Sequence, residues 1–336
     1  ARGSPSVVNS PPMRVREAVA AAHPNIALVK YWGNRDHALR IPSNGSISLT
    51  LGGLKTQMRV GFDPDLDRDQ LLINQVPAEA AALQRVSHQL DLIRNEAGVR
   101  SPAIVHSETN FPMAAGLASS AAAFAALTVA GCAAAGLDLG RTELSALARR
   151  GSGSAARSIF GGYVELVAGE DAASSVARPL AEAAHWPIVD LIVLIDPNPK
   201  PTGSTEGHSS AQTSPLQAAR VSDAPRRLQA CREAVLGRDF GRLAEVVEQD
   251  SDMLHAVMMT SSPALHYWQP SSLAIMSRVR SLRSQGVAAC YTVDAGPNVH
   301  CLCLPEAEPK LREGLARLSP DFWILRAEPG PGAWLV

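Results

Sequence analysis

Aromatic residues are scarce, at 4% of 336 positions, and neither sign of charge prevails: 31 Lys and Arg against 32 Asp and Glu leave a formal net charge of −1. That balance removes the basic footprint a nucleic-acid partner requires, so none is expected. The five cysteines are an odd set without a CxxC pair, which argues against a disulfide framework or a zinc ribbon. Cys301 and Cys303 fall in an alternating apolar stretch where packing suits them better than metal ligation, and the set as a whole fits a reducing, cytoplasmic compartment. A Walker GxxxxGK[ST] loop is missing. One stretch, residues 113–137, lacks charge for long enough to span a bilayer, but it is mostly Ala, Gly and Ser, has no aromatic belt and follows Pro112. It reads as a buried, closely packed helix, and no membrane partner is expected.

What is present describes a globular chain. Hydrophobic residues make up 46% of the sequence, and its length exceeds what a single core usually reaches, so two domains are expected. Residues 1–12 are Ser/Pro-rich and read as a disordered tail, with Met13 a candidate natural start. An N-terminal α+β domain is assigned to 13–195 and a C-terminal α+β domain to 196–336. Residues 15–33 and 46–62 have strand character, with a loop at 34–45 between them. Helical spacing follows at 80–96, a strand at 101–110, the Ala-rich helix from about Gly116, and a short helix at 142–150. Strands at 163–169 and 186–196 precede a polar, Gly/Ser/Thr-rich loop at 200–214. Helical patterns at roughly 222–260 and 271–285, a strand–turn–strand over 286–304, a last helix and a terminal strand complete an α+β chain.

Four stretches could carry chemistry. In "FPMAAGLASSAA", Gly116 and Leu117 precede a helix whose first turn holds Ser119 and Ser120; unpaired N–H groups, a positive dipole end and two hydroxyls suit a phosphate, although a serine-capped helix start would look the same. "GSGSAA" (residues 151–156) satisfies GxGxxA, which suggests a nicotinamide oxidoreductase, but helical rather than strand spacing precedes it. The same turn could be a plain loop, or an anion site in which Ser152 and Ser154 work with the guanidinium of Arg157. "LVKYWGNRD" puts Lys30 beside Tyr31 and Trp32 at a strand end, and "YTVDAGPN" ends a strand at Asp294, where an Asx turn is the plainer use of the aspartate.

Together and in this order, "PNIALVKYWG…RD", "FPMAAGLASSAA", "RRGSGSAARS…GGYVE" and "YTVDAGPN" resemble the mevalonate diphosphate decarboxylase family, which includes phosphomevalonate decarboxylases and belongs to the galactokinase, homoserine kinase and mevalonate kinase superfamily. The resemblance runs from about residue 20 to the C-terminus. It implies a two-domain, sugar-kinase-like fold: a ribosomal S5 domain 2-like N-terminal domain and a ferredoxin-like C-terminal one, with the active site in the cleft between them. It also implies ATP and Mg²⁺ as cofactors, a phosphorylated mevalonate as substrate and a homodimer as the assembly. The family's reaction yields an isopentenyl product, ADP, phosphate and carbon dioxide. A tertiary hydroxyl is a poor leaving group, so it is phosphorylated before phosphate and carboxylate depart.

By the same resemblance, Asp294 holds the C3 hydroxyl as base or orienting acceptor. Lys30 keeps it ionised and balances phosphoryl charge, and Arg157 grips the substrate carboxylate. Ser152 and Ser154 bind the substrate phosphate, Tyr31 and Trp32 line the pocket, and Gly116, Leu117, Ser119 and Ser120 hold the nucleotide, with Ser120 also helping to hold Mg²⁺. Residues 200–207 resemble a mobile substrate-side loop. One departure bears on substrate choice. Members acting on the diphosphate typically read KYWGK, and here the second lysine is replaced by Asn34, with Arg85 a partial compensation. This places 5-phosphomevalonate ahead of the diphosphate. A C3-hydroxyl kinase that does not decarboxylate is the nearest alternative activity.

Overall fold

A computed structural model describes residues 16–111, 119–196 and 203–336, with only the backbone of 204 and 205. The expected tail at 1–12, Gly116 and Leu117, and residues 200–202 lie outside the described residues. The N-terminal part opens with β1 (Arg16–Ala22), β2 (Asn25–Val29), β3 (Asn34–Asp36), β4 (Ile41–Pro42), β5 (Ser46–Gly52), β6 (Thr56–Phe62), β7 (Gln70–Ile73) and β8 (Val76–Pro77). Helix α1 (Ala80–Ala97), β9 (Ala103–Thr109), α2 (Ser119–Ala135), α3 (Arg141–Gly151), α4 (Ala155–Ser158), β10 (Tyr163–Leu166) and β11 (Ala177–Ala181) follow. The remainder comprises β12 (Val189–Leu194), α5 (Ser204–Ser210), α6 (Gln217–Gly237), α7 (Phe240–Met259), α8 (Pro270–Ser284), β13 (Ala289–Val293), β14 (Val299–Cys303), α9 (Glu308–Ala316), β15 (Trp323–Pro329) and β16 (Trp334–Leu335).

One sheet runs β16-β1-β6-β9-β7-β8, and a larger one runs β11-β10-β5-β15-β12-β14-β13, with β2 also paired to β5. The alternation in 56–62 and 103–109 sets an antiparallel register in which Val60 faces Val105, and Met58, Val60 and Phe62 enter a core built with α1 and α2. Helix α2 is the charge-free run. Its small residues allow close approach: a Cβ on Gly131 would lie 2.7 Å from Ile93 Cδ1. Among the described residues no helix is long and apolar enough to cross a membrane.

The larger sheet joins the two halves of the chain, since β15 pairs with β5 on one edge and β12 on the other. One apolar core packs α6 and α7 against it, and another holds α8 and α9 against β12, β13 and β14. Strand β12, assigned from sequence to a first domain ending at 195, is hydrogen-bonded to β14 and β15. The architecture is a two-domain mixed α/β fold.

Three local expectations are corrected. The loop at 34–45 contains the short pair β3–β4, too brief to show a period. The helical pattern at 222–260 begins at 217 and is cut in two where Arg238 adopts a left-handed φ of 53°, with Asp239 capping α7 through the Arg242 N–H. The loop at 200–214 is helical over Ser204–Ser210, where Gly207 packs so closely on the Trp32 indole that a Cβ there would lie 2.7 Å from Cη2. All five cysteines are free and buried, Cys301 and Cys303 in a sheet core.

Candidate active site

The site gathers where β2, β13, the 151–158 turn and α5 converge. Lys30 follows β2 directly, and its ammonium donates to Asp294 Oδ1 at 2.6 Å and to the Ala27 carbonyl at 2.9 Å. An ammonium has three protons, so one donor remains for a ligand. The lysine is buried, whereas the Asp294 carboxylate, just beyond the end of β13, is about a third exposed at 32%. One partner is thus sealed in protein and the other is open to a bound molecule. The two are 264 positions apart in sequence.

Arg157 lies on α4, buried, with Nη1 donating to Ser46 Oγ at 2.6 Å and Nη2 to Asn25 Oδ1 at 3.0 Å. It was expected beside Ser152 and Ser154, but the fork instead spends these bonds on neutral acceptors from β2 and β5, which fix its plane. Its Nε is buried without a partner. Burial depresses the guanidinium's affinity for its proton, while Tyr31 and Asp294 act in the opposite direction. A positive group so placed is stabilised by an incoming anion.

Both serines occupy the first described turn of α2, and no acidic side chain there opposes an anion. Ser120 Oγ lies 3.3 Å from Ser152 Oγ, which lies 3.3 Å from Ser154 Oγ. This chain of hydroxyls links the helix start to the glycine-serine turn. What precedes that turn is α3 rather than a strand, so the dinucleotide fingerprint lacks its structural context.

Tyr31 and Trp32 flank a side chain that the sequence did not single out. His208 on α5 stacks on Tyr31 with centroids 4.8 Å apart and meets Trp32 at a tilt with centroids 4.4 Å apart, and its Nδ1 accepts the Gly33 N–H at 3.0 Å. Trp32 is buried, with Nε1 unpartnered. Asn34 is buried as well, and its Oδ1 has no partner. Arg85 on α1 stacks over the Phe124 ring at 4.9 Å, and its affinity for the proton is lowered by burial and then by Arg40. Arg40 and Arg149 also lie close enough to Tyr31 to oppose the upward shift that burial imposes on its hydroxyl. Arg149 is fully buried and spends its guanidinium on the carbonyls of Leu39, Ala172 and Ser175, whereas Arg150 Nε is buried without a partner. Arg40 sits in a hairpin turn at φ 49°, a conformation that left no mark in the sequence.

Gly153 makes room for the Tyr31 phenol: a Cβ there would lie 1.5 Å from Oη. Because the ring is stacked on His208, Gly153→Ala is expected to displace Tyr31 and cost about 10²-fold in kcat/KM, with little change in melting temperature. A thermal melt beside steady-state kinetics checks this; equal activity would show that the ring moves freely.

His255 on α7 stacks on Trp268 at 4.6 Å, and its Nε2 lies 3.4 Å from the Val293 carbonyl. Burial lowers its pKa to about 4. The folded state therefore binds its proton more weakly than the unfolded state does. Its contribution is complete above about pH 6.5 and is lost as pH falls towards 4. Between pH 7 and 5 the loss is about 2 kcal/mol, so urea titrations of wild type should show this decline and His255→Gln should not.

A buried ammonium against a half-open carboxylate, a buried guanidinium with one unpartnered nitrogen and a run of serine hydroxyls make a site of the kind in which an enzyme binds a small anion. The Diphosphomevalonate decarboxylase-like N-terminal domain matches residues 22–177, and the Mevalonate 5-diphosphate decarboxylase C-terminal domain matches 190–322. The chain is 39% identical over 298 residues to a diphosphomevalonate decarboxylase of Candida albicans, covering 84% of this chain and 82% of that one. It is 33% identical over 310 residues to a phosphomevalonate decarboxylase of Haloferax volcanii, covering 91% and 95%. The solved structure of MDDEF in complex with MVAPP, AMPPCP and magnesium superposes with a TM-score of 0.91 at 36% identity, covering 96% of this chain and 99% of that one. The chain therefore belongs to the diphosphomevalonate decarboxylase family, and with it to the ATP-dependent decarboxylases.

Proposed function

We propose that this protein converts a 5-phosphorylated mevalonate, ATP·Mg²⁺ serving as phosphoryl donor, to the isopentenyl phosphate or diphosphate with release of ADP, phosphate and carbon dioxide. The observation that carries this is the 2.6 Å contact between Lys30 Nζ and Asp294 Oδ1, buried on one side and open on the other. Asp294 would orient the C3 hydroxyl and accept its proton. A carboxylate is a far weaker base than a tertiary alkoxide, so positioning supplies much of the effect. Lys30 would hold Asp294 ionised and offset charge as the hydroxyl is phosphorylated. Arg157, whose Nε lacks a partner, would take the substrate carboxylate and hold it until carbon dioxide leaves.

Residues fitting a nucleotide are present: Ser119 and Ser120 offer hydroxyls and a helix N-terminus, and Ser120 would contribute a ligand to Mg²⁺. The metal-bound nucleotide supplies a transferable phosphoryl group. Ser152, Ser154, Arg85 and Arg40 would hold the 5-phosphate, and Tyr31, Trp32 and His208 would close the pocket over the substrate. We further place the domain boundary in residues 182–188, ahead of β12, because that strand pairs with β14 and β15. Free, buried cysteines support a cytoplasmic location, and a homodimer is carried over from the family resemblance.

Between the two substrates we favour the 5-monophosphate. Asn34 brings an unpartnered carbonyl oxygen where diphosphate-using members carry a cation, and a charged hydrogen bond is worth about 1.5 to 3 kcal/mol. Asn34→Lys should therefore shift kcat/KM towards 5-diphosphomevalonate by roughly ten- to a hundred-fold. Offering each substrate to wild type and variant checks the order; a tenfold wild-type preference for the diphosphate would reverse it.

A further inference from the structure

Lys30 and Asp294 come from opposite ends of the chain, yet the main chain at Lys30 and at Val293, the residue before Asp294, is held by consecutive residues of one helix. We propose that Asp250 and Ser251 of α7 are positioning residues that jointly set the separation of the Lys30–Asp294 pair, and so its reactivity.

On the lysine side, Asp250 is fully buried and its Oδ2 accepts the Lys30 N–H at 2.7 Å. The Lys30 carbonyl accepts from Arg220 Nη2 at 2.7 Å and from Asn44 Nδ2 at 3.1 Å. Asp250 Oδ1 accepts from Arg227 Nε at 2.8 Å, and Arg220 lies 3.5 Å from both of its oxygens. Both polar groups of the Lys30 main chain are therefore tied to a rigid buried cluster. On the carboxylate side, Ser251 Oγ accepts the N–H of Val293, the residue before Asp294, at 3.0 Å and lies 3.5 Å from the Val293 carbonyl. His255, one turn further along α7, approaches that same carbonyl at 3.4 Å.

A purely structural role would not call for this chemistry. An apolar contact between α7 and the strand ends would seal the core without desolvating a carboxylate and two guanidinium groups, which is costly unless specific geometry is gained. What the cluster supplies is registration. The shortest contact of Asp250 is to a peptide N–H, that of Lys30, and the adjacent residue holds the strand that ends at Asp294. A shift of about 1 Å between such groups can cost 10²-fold in rate.

The proposal rests on the catalytic pairing of Lys30 with Asp294, and the test separates the two. Ser251→Ala removes the acceptor for the Val293 N–H but leaves the buried charges intact. Its kcat should fall roughly ten- to a hundred-fold, with KM for ATP and for the phosphorylated mevalonate unchanged within twofold. The acid limb of its pH–rate profile should move to higher pH, because a carboxylate further from the Lys30 ammonium is protonated more easily. Among the described residues, the charged or titratable groups around that carboxylate include Lys30 at the end of β2, Arg157 on α4 and His255 on α7. Ser251→Thr, which keeps the hydroxyl, should restore both kcat and the limb. Asp250→Asn should repeat the pattern if it folds; Ser251→Ala carries the test if it does not. A lowered melting temperature with unaltered kcat and pH limb in Ser251→Ala would overturn the clamp. Unimpaired turnover in Asp294→Asn would instead overturn the pairing beneath it.

Discussion

Asp294→Asn is expected to lower carbon dioxide release by about 10³-fold or more, with nucleotide binding within a few-fold of wild type. Asparagine keeps the shape and can still accept from Lys30 Nζ, so the 2.6 Å contact is geometrically replaceable. What it cannot replace is a negative charge able to orient and deprotonate a hydroxyl. The Lys30 ammonium, buried and then facing a neutral amide, would also lose the charge that compensates it, which adds to the loss. Nucleotide affinity is expected to survive because the serines proposed to hold the nucleotide, Ser119 and Ser120, lie on α2, a separate element. Steady-state kinetics with a fluorescent nucleotide titration checks both halves; turnover within tenfold of wild type would remove Asp294 from the chemistry.

Arg157→Lys is expected to cost about 10² to 10³-fold in kcat/KM for the phosphorylated mevalonate, with KM for ATP nearly constant. Lysine preserves the charge, so a change of that size would report geometry. The guanidinium uses Nη1 on Ser46 and Nη2 on Asn25 and keeps Nε free, an arrangement that an ammonium cannot reproduce. Two charge-assisted bonds worth about 1.5 to 3 kcal/mol each would be lost or weakened. Full activity in the variant would mean that the substrate carboxylate is held elsewhere.

Much of the fold could be read from periodicity. The stretches 56–62 and 103–109 became paired strands whose alternation records which face meets the core, whereas β2 and β5 are buried on both faces and were legible as short apolar runs. Elements whose cause lies elsewhere in space were not legible. Helix α5, over "STEGHSS", is made of poor helix formers and is held where Gly207 and His208 pack on Trp32 and Tyr31. The β7–β8 turn uses left-handed φ at Asn74 and Gln75, neither of them glycine, so its usual signal was missing.

The site divides in the same way. Lys30, Asp294, Arg157 and the serines were named because the order of four motifs resembles a known family; nothing in their spacing reveals a contact across 264 positions. Asp250, Arg220 and Arg227 look in sequence like ordinary helical charges, and only burial distinguishes them. Asn25 lies in the motif PNIALVKYWG and Ser46 opens the strand-like segment 46–62, yet both gain meaning only as the acceptors that orient Arg157.

The most direct measurement supplies purified protein with ATP, Mg²⁺ and, in separate reactions, mevalonate, its 5-phosphate and its 5-diphosphate, counting ADP and carbon dioxide in each. The account predicts one carbon dioxide per ADP from at least one phosphorylated mevalonate and almost none of either product from Asp294→Asn. Wild-type ADP release without carbon dioxide from every substrate, or no turnover of either phosphorylated form, would contradict it.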